Sequence, residues 1–336
     1  MTQIAPSRTP QERAEAVATA AGLLRRGDIV ALPTETVYGL AAYALNAEAV
    51  AKIFEAKERP RFDPLIVHLP GREWLDRITT IDSGARRLVE QLIERFWPGP
   101  LTMVLPRKEI VPDIVTAGLA TVAVRISAHP VFSEILQAFG SPLAAPSANR
   151  FGRISPTTAQ HVLDELEGRI SLIVDGGSTA HGLESTIVAP RGGRIEILRR
   201  GPVTEEQLAD FGNVVIAEAS PHPEAPGQLP IHYAPSTPLL LVEDASAFIL
   251  PANKRCGLLA WRPLGETKGF AEIRQLSPGQ DLKESATNLF RYLRELDRSN
   301  LDLIVAEKMP ESGLGAAIMD RLRRASRGAA LSKSPH

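Results

Sequence analysis

Two hydrophobic periods alternate along the chain, one near 3.6 residues and one near 2. Residues 11–26 carry Ala and Arg at helical spacing, and Gly27 supplies a stop, so a helix is predicted there. Residues 28–32 form a short apolar run suited to a buried strand. Asn46 caps a second predicted helix, 46–57, with Val50, Ile53 and Phe54 on one face. Residues 64–69 read as a strand and 83–96 as a helix, which Trp97-Pro98-Gly99-Pro100 breaks. Strands at 101–105 and 121–126, a helix at 129–139 and a strand at 142–145 follow. Ser155-Pro156 offers an N-cap and a first-turn proline for the next helix. Residues 170–174, 185–188 and 194–198 are strand-like, and Thr204 with Gln207 forms a capping box.

The pattern changes after Phe211. Pro221, Pro223, Pro226, Pro230, Pro235 and Pro238 crowd one stretch, which no regular helix or central strand tolerates. The division implied is a first domain at 1–211, a proline-rich connector at 212–237 and a second domain at 238–336. In the last part, strands at 239–242, 257–261 and 303–306 alternate with helices at 282–296 and 316–324. This suggests a small three-layer α/β domain.

Composition narrows the choices. With 336 residues, 44% of them hydrophobic, the chain exceeds one ordinary core. Its 38 basic and 39 acidic residues leave a net charge of -1, so it is no general nucleic-acid or membrane coat. The lone cysteine, Cys256, sits in an apolar run and reads as a core residue. A single cysteine excludes a disulfide framework within the chain and fits a reducing, cytoplasmic setting. The N-terminus lacks an apolar signal-peptide core, and no window of about eighteen apolar residues predicts a membrane span.

Five polar clusters carry candidate chemistry. Pro33-Thr34-Glu35-Thr36-Val37-Tyr38-Gly39-Leu40 follows a buried strand, where α/β sheets hold ligands, or else forms a turn into a helix. Lys57-Glu58-Arg59-Pro60-Arg61 ends a helix with three cations on a proline-stiffened segment, and Asp63 and His68 follow. Arg125 closes an apolar strand and needs an anion, either a substrate carboxylate or a structural Asp or Glu. Ala144-Ala145-Pro146-Ser147-Ala148-Asn149-Arg150 offers small residues beside neutral hydrogen-bonding groups, with Ser155 beyond. Asp175-Gly176-Gly177, Glu184-Ser185-Thr186 and Arg199-Arg200-Gly201-Pro202 form the fifth. No P-loop, G-x-S-x-G elbow or H-x-x-x-H metal spacing is present.

Together these pieces resemble the YrdC-like family, in its longer threonylcarbamoyl-AMP synthase form with a C-terminal domain. The resemblance rests on residues 32–40, Lys57 through Pro60, Pro64-Leu65-Ile66-Val67-His68, Trp97-Pro98-Gly99-Pro100-Leu101-Thr102, Val124-Arg125, residues 145–149 and His232-Tyr233-Ala234-Pro235. It implies a twisted mixed α/β sheet around a basic cavity, followed by a smaller Rossmann-like domain. It also implies an enzyme, a nucleotidyltransferase, that makes threonylcarbamoyl-AMP from L-threonine, bicarbonate and ATP.

By the same resemblance, Lys57, Arg59, Ser147 and Asn149 form a basic-polar catalytic quartet. Thr36, His68, Arg125, Ala145 and Ser185 would hold threonine. Arg59, Asp63, Thr121, Ser147, Ser155, Arg199 and Tyr233 would hold ATP, with Mg2+ on its phosphates and no metal site of protein ligands. The product would pass to a tRNA-modifying threonylcarbamoyl transferase, and the connector would act as a lid carrying Tyr233. The chain departs from the family at Glu58, where glycine is usual, and at Leu229-Pro230-Ile231, where basic residues are common. Arg321, Arg323, Arg324 and Arg327 suggest a weak tRNA contact or a solvated helix end.

Overall fold

The computed structural model describes residues 1–218, 223–229, 233–265 and 269–331. They form two compact units. The first comprises Met1–Phe151, Pro156–Ala180 and Glu184–Gln228, and the second takes Gly152–Ser155, His181–Leu183 and Leu229–His336. The stretch expected as a connector is divided between the two units. Pro221, Pro230 and His232 lie outside the described residues.

The first unit is built on strands β1 (Gln3–Pro6), β2 (Val30–Leu32), β3 (Gly39–Tyr43), β4 (Ile66–His68), β5 (Leu101–Pro106), β6 (Thr121–Arg125), β7 (Leu143–Ala144), β8 (Leu172–Asp175), β9 (Thr186–Arg191), β10 (Arg194–Arg199) and β11 (Asn213–Ile216). They hydrogen-bond in the order β1-β8-β2-β3-β7-β4-β6-β5-β9-β10-β11. The sheet is mixed: β4 runs parallel to β6, and β5 runs parallel to β9 but antiparallel to β6.

Side chains alternate between faces along a strand, so register decides what each face carries. On one face Val67, Val124, Met103, Leu105 and Val188 pack into the main core with Leu92 and Phe96 of the helix Ser83–Phe96. On the other, Ile66, Val104, Ala123, Ile187 and Ala189 make a small apolar cluster. The same alternation puts His68, Thr102, Thr121, Arg125 and Ser185 on this second face. One face holds the fold together, and the other collects the polar candidates.

Local signals explain most element ends. Thr9 closes a capping box on the helix Pro10–Arg25, and Asn46 accepts from Glu48 N and Ala49 N. Two expectations need correction. Residues 33–38 lead into antiparallel β3 and not into a helix, with Leu32 paired to Gly39. Gly39 suits the close approach there, since a Cβ would come within 3.2 Å of the Ala145 Cβ. Ser155-Pro156 also does not open a helix. Tyr38 N donates to Pro156 O, which fixes that segment, and Thr158 caps the helix Ala159–Leu166 by accepting from His161 N.

The second unit carries four parallel strands, β12 (Leu239–Val242), β13 (Cys256–Ala260), β14 (Glu272–Gln275) and β15 (Leu303–Glu307), in the order β12-β15-β13-β14. The helices Leu282–Asp297 and Leu314–Leu331 complete a small Rossmann-like α/β unit. Cys256 is buried. Among the described residues no helix is long and apolar enough to cross a membrane.

Candidate active site

The loop after β2 is held by its own hydroxyls. Thr34 Oγ1 donates to Val37 O (2.6 Å) and accepts from the main-chain N–H groups of Thr36 and Val37. Thr36 Oγ1 lies 2.8 Å from Thr34 Oγ1. This closed turn points Thr36 and Glu35 at the carboxyl end of β6. Arg125 Nη1 donates to Thr36 Oγ1 (3.2 Å), and Nη2 donates to Glu35 Oε1. Ser127 Oγ donates to the other Glu35 oxygen. Of the two partners open to Arg125 in the sequence, the fold therefore supplies a structural carboxylate, Glu35.

Glu35 is deeply buried. Burial alone would raise its pKa, but the Arg125 charge, Ser127 and main-chain N–H groups outweigh burial and hold the carboxyl below its ordinary value. Arg125 Nε has no hydrogen-bond partner among the described residues. His68 stands beside Arg125 in register and packs against Phe132 at 4.7 Å between ring centroids. Burial, reinforced by the Arg125 charge, drives the His68 pKa well below its ordinary value, and a hydrogen bond to the Ala145 main chain opposes this only in part. The imidazole is neutral near pH 7, and its Nδ1 lacks a partner among the described residues. Ala145 N donates to Ile66 O (3.0 Å), which brings β7 against β4 at this point.

Ser185 joins the same face from the start of β9. Its Oγ lies 2.8 Å from Thr102 Oγ1 and accepts from Arg199 Nη2 (3.1 Å). Arg199 also donates to Ser185 O from Nε and Nη2. The residues Ile197 and Arg199 have the same parity, yet Ile197 packs into the main core. A register shift between them pairs Arg199 with Ile187 and turns its side chain to the polar face.

The cationic group is more internally braced than the sequence suggests. Lys57 is almost fully buried at the end of the helix Ala47–Lys57, and its Nζ donates to Ser147 O (2.5 Å) and Asn149 O. Lys57 thus anchors the 147–149 segment through its carbonyls. Burial, with Arg59 nearby, lowers its pKa well below the ordinary value. Leu40 N to Pro146 O and Ala148 N to Tyr38 O pin the same segment to β3. Arg59 pairs with buried Asp63 at 2.8 Å and donates to Pro64 O (2.8 Å). Burial raises the Asp63 pKa despite Arg59, Lys57 and Arg199. Thr121 lies at the opposite end of β6 from Arg125, paired with Pro106. Extending the parallel β4–β6 register two residues back puts Thr121 level with Pro64.

Glu58 resolves its own puzzle. It caps the helix in a left-handed conformation, φ 54°, which explains why glycine suits this position. Its carboxylate pairs with Arg169 at 2.6 Å and is 60% exposed, so it turns to solvent.

Two expected nucleotide residues, Ser155 and Tyr233, belong to the second unit. There Tyr233 is buried, stacked on Phe290 at 5.6 Å with the Arg321 guanidinium over its ring at 5.1 Å. Its neighbour Ala234 donates through N to Gly152 O (2.9 Å). The basic helix is partly paired, three of its arginines sharing two carboxylates. Arg321 is buried and pairs with Asp320, Arg323 pairs with Glu311, and Arg324 pairs with Asp320. Among the described residues no group of three His, Cys, Asp or Glu side chains could hold a metal.

Sequence reasoning left Glu35 as one polar group of a candidate ligand cluster and gave no role to Ser127 or Thr102. The first stood inside the most distinctive motif. Its partner could not be seen, because Arg125 is 90 positions away.

Comparison with known proteins fits both units. A Sua5/YciO/YrdC family model, described as telomere recombination, matches residues 22–201, and a threonylcarbamoyl-AMP synthase C-terminal domain matches 203–327. The chain is 40% identical over 328 residues to the threonylcarbamoyl-AMP synthase of Pyrococcus abyssi, covering 91% of this chain and 93% of that protein. It is 40% identical to the Bacillus subtilis threonylcarbamoyl-AMP synthase over 325 residues, 93% of each. A crystal structure of P. abyssi Sua5 complexed with L-threonine superposes with a TM-score of 0.88 at 38% identity, covering 98% of each chain. With both domains matched and two such relatives aligned over nearly their whole length, the chain belongs to the Sua5/YrdC family, as an enzyme of the long threonylcarbamoyl-AMP synthase type.

Proposed function

We propose that this enzyme condenses L-threonine, bicarbonate and ATP into threonylcarbamoyl-AMP and pyrophosphate, and that the product feeds a threonylcarbamoyl transferase acting on tRNA in the cytoplasm. The observation that carries the reading is a division within the first unit. A buried guanidinium and a neutral imidazole, each with a nitrogen that has no hydrogen-bond partner among the described residues, share a sheet face with Ser185. Two guanidinium groups, Arg59 and Arg199, interact electrostatically with buried Asp63, beside the Lys57 that braces residues 147–149. The first set suits an amino-acid carboxylate and its polar neighbours, and the second suits phosphate.

The chemistry needs little from the protein beyond placement. The neutral amine of threonine attacks bicarbonate, water leaves, and an N-carboxylate results. Its oxygen then attacks the α-phosphorus, and the bond to pyrophosphate breaks. Charge grows on the phosphates, so fixed cations aligned with attacker and leaving group lower the barrier. Arg59 and Arg199 are the side chains for that work. Lys57 serves it by holding Ser147 and Asn149 in place through their carbonyls. Arg125 grips the threonine carboxylate, with Thr36, His68, Ala145 and Ser185 around the rest of the amino acid. Asp63 and Thr121 complete the nucleotide site on the first unit. Ser155 and Tyr233 enter on family resemblance alone. Magnesium arrives as part of the MgATP substrate.

The test is pyrophosphate release from the purified enzyme with each component omitted in turn. Release that requires ATP, threonine and bicarbonate together supports the reading. Release that is indifferent to threonine contradicts it.

A further inference from the structure

Two short stretches of chain leave the first unit. Gly152–Ser155 and His181–Leu183 belong to the second, although the residues before and after each belong to the first. The chain on either side of Gly152–Ser155 is fixed within the first unit. Phe151 N donates to Lys57 O (2.9 Å), and Tyr38 N donates to Pro156 O (2.9 Å). Lys57 also holds Ser147 O and Asn149 O. The loop from 147 to 156 is thus braced at both ends, and its residues 152–155 are held in the second unit.

One helix of the second unit meets both stretches. In Leu282–Asp297 the residues Ala286, Phe290, Arg294 and Asp297 recur at helical spacing and share one face. Gly182 (φ 67°) lies against this helix, where a Cβ would come within 2.4 Å of Ala286 O. Phe290 stacks on Tyr233, and Asp297 accepts from Ser236 N (3.0 Å) and Thr237 N (2.7 Å). Between them Arg294, 5% exposed, donates through Nη2 to Ile154 O. Ile154 and Ser155 are themselves buried. Ala234 N donates to Gly152 O (2.9 Å), and Arg153 Nη1 donates to Ser236 Oγ. A buried hydrogen bond from a cation to a main-chain carbonyl fixes the backbone more firmly than a neutral surface bond.

We infer that Arg294 is a positioning residue for the nucleotide: by holding Ile154 O it sets the loop that carries Ser147, Asn149 and Ser155. This rests on the functional reading above and deepens it, because it gives the helix of the second unit a task in the use of ATP. Arg294 touches no substrate in this account. It acts through the loop. The group around Arg125 differs, since its bonds to Glu35 and Thr36, and that of Ser127 to Glu35, all lie within the first unit. Threonine binding should therefore not feel a change at Arg294.

Steady-state pyrophosphate release is the readout, with ATP and threonine varied separately. Arg294→Met keeps an apolar stem of similar length and removes the donors. Its KM for ATP should rise about tenfold, the order expected for one lost hydrogen bond from a charged group, while its KM for threonine stays within about twofold. A folded Arg294→Met enzyme with an unchanged KM for ATP overturns the inference. So does one in which both KM values rise alike, or in which only kcat falls. A second measurement stands even where the variant fails to fold. In the ligand-free wild-type enzyme, amide hydrogen exchange at Ile154 and Ser155 should be slow, as in a segment already set. Exchange there as fast as in an unstructured peptide overturns the inference. A wild-type enzyme with no threonine-dependent release overturns the functional reading instead, so the two failures are separable.

Discussion

The carboxyl ends of the strands in the two units use buried carboxylates in opposite ways. In the second unit Glu307, the last residue of β15, accepts from Ala245 N (3.0 Å), Trp261 N (2.8 Å) and Arg262 N (2.8 Å). Open α/β sheets commonly bind ligands at such strand ends, through main-chain N–H groups aimed at an anion. Here the chain supplies the anion itself. In the first unit Glu35 also fills an anion position, but among the described residues its partner Arg125 keeps Nε without an acceptor, and His68 beside it keeps Nδ1 without a partner. A carboxylate that satisfies main-chain groups closes a site. A carboxylate that balances and orients an arginine can leave one open.

The comparison breaks most severely at Arg125. Arg125→Ala should strand Glu35 as an unpaired buried charge and cost about 3–5 kcal/mol, together with loss of threonine-dependent turnover. Denaturant unfolding and pyrophosphate release would show both effects, and a small stability loss would mean that Glu35 finds another partner. Glu307→Ala comes next. Main-chain N–H groups left without their acceptor should lower the stability of the second unit by roughly 3 kcal/mol, and added acetate should restore part of it. Urea unfolding followed by Trp261 fluorescence, with Trp74 and Trp97 replaced by Phe in both proteins compared, would report this, and an unchanged midpoint would contradict the closed-site account.

His68 sharpens the contrast through pH. Its folded pKa is depressed below the ordinary 6.5, so the unfolded chain takes up a proton before the folded one does. The stability it contributes is complete above pH 6.5 and declines as pH falls below that, by up to about 1.4 kcal/mol per pH unit. His68→Leu should remove that slope, seen as the difference between two denaturation series from pH 7.5 to pH 5. Parallel series would mean that His68 protonates freely in the fold. The smallest effect belongs to Glu58→Gly. Relief of the left-handed strain, less the exposed pair with Arg169, should stabilise by about 0.5 kcal/mol. The KM for ATP should not move, since this carboxylate faces solvent.

Much of this was legible in the chain. The helices at Ser83–Phe96 and Leu282–Asp297 follow from strong periodicity and clear ends. Strand β3 was hidden because Gly-Leu-Ala-Ala-Tyr shows no alternation and is buried on both faces. Strand β14, with Glu272 and Arg274, looks like a surface turn until its pairing with β13 is seen. Thr158 lost to Ser155 as the expected cap because proline at position 156 gave a stronger local signal than the true start. At the site, residue types were readable but partners were not. Lys57 reads as a phosphate ligand from its neighbours, yet its ammonium goes to two carbonyls some 90 positions on. The bulge that turns Arg199 has no signature in Ile-Leu-Arg itself.

The central claim is that an amino acid sits on the polar face of the first unit, with its carboxylate on Arg125. A crystal of this enzyme soaked with L-threonine and a non-hydrolysable ATP analogue tests it most directly. The account predicts a threonine carboxylate on the unpaired edge of Arg125, with Glu35 still bound behind it and His68 and Ser185 alongside. Threonine lodged away from Arg125, or phosphate occupying that guanidinium while Glu35 remains in place, would contradict it.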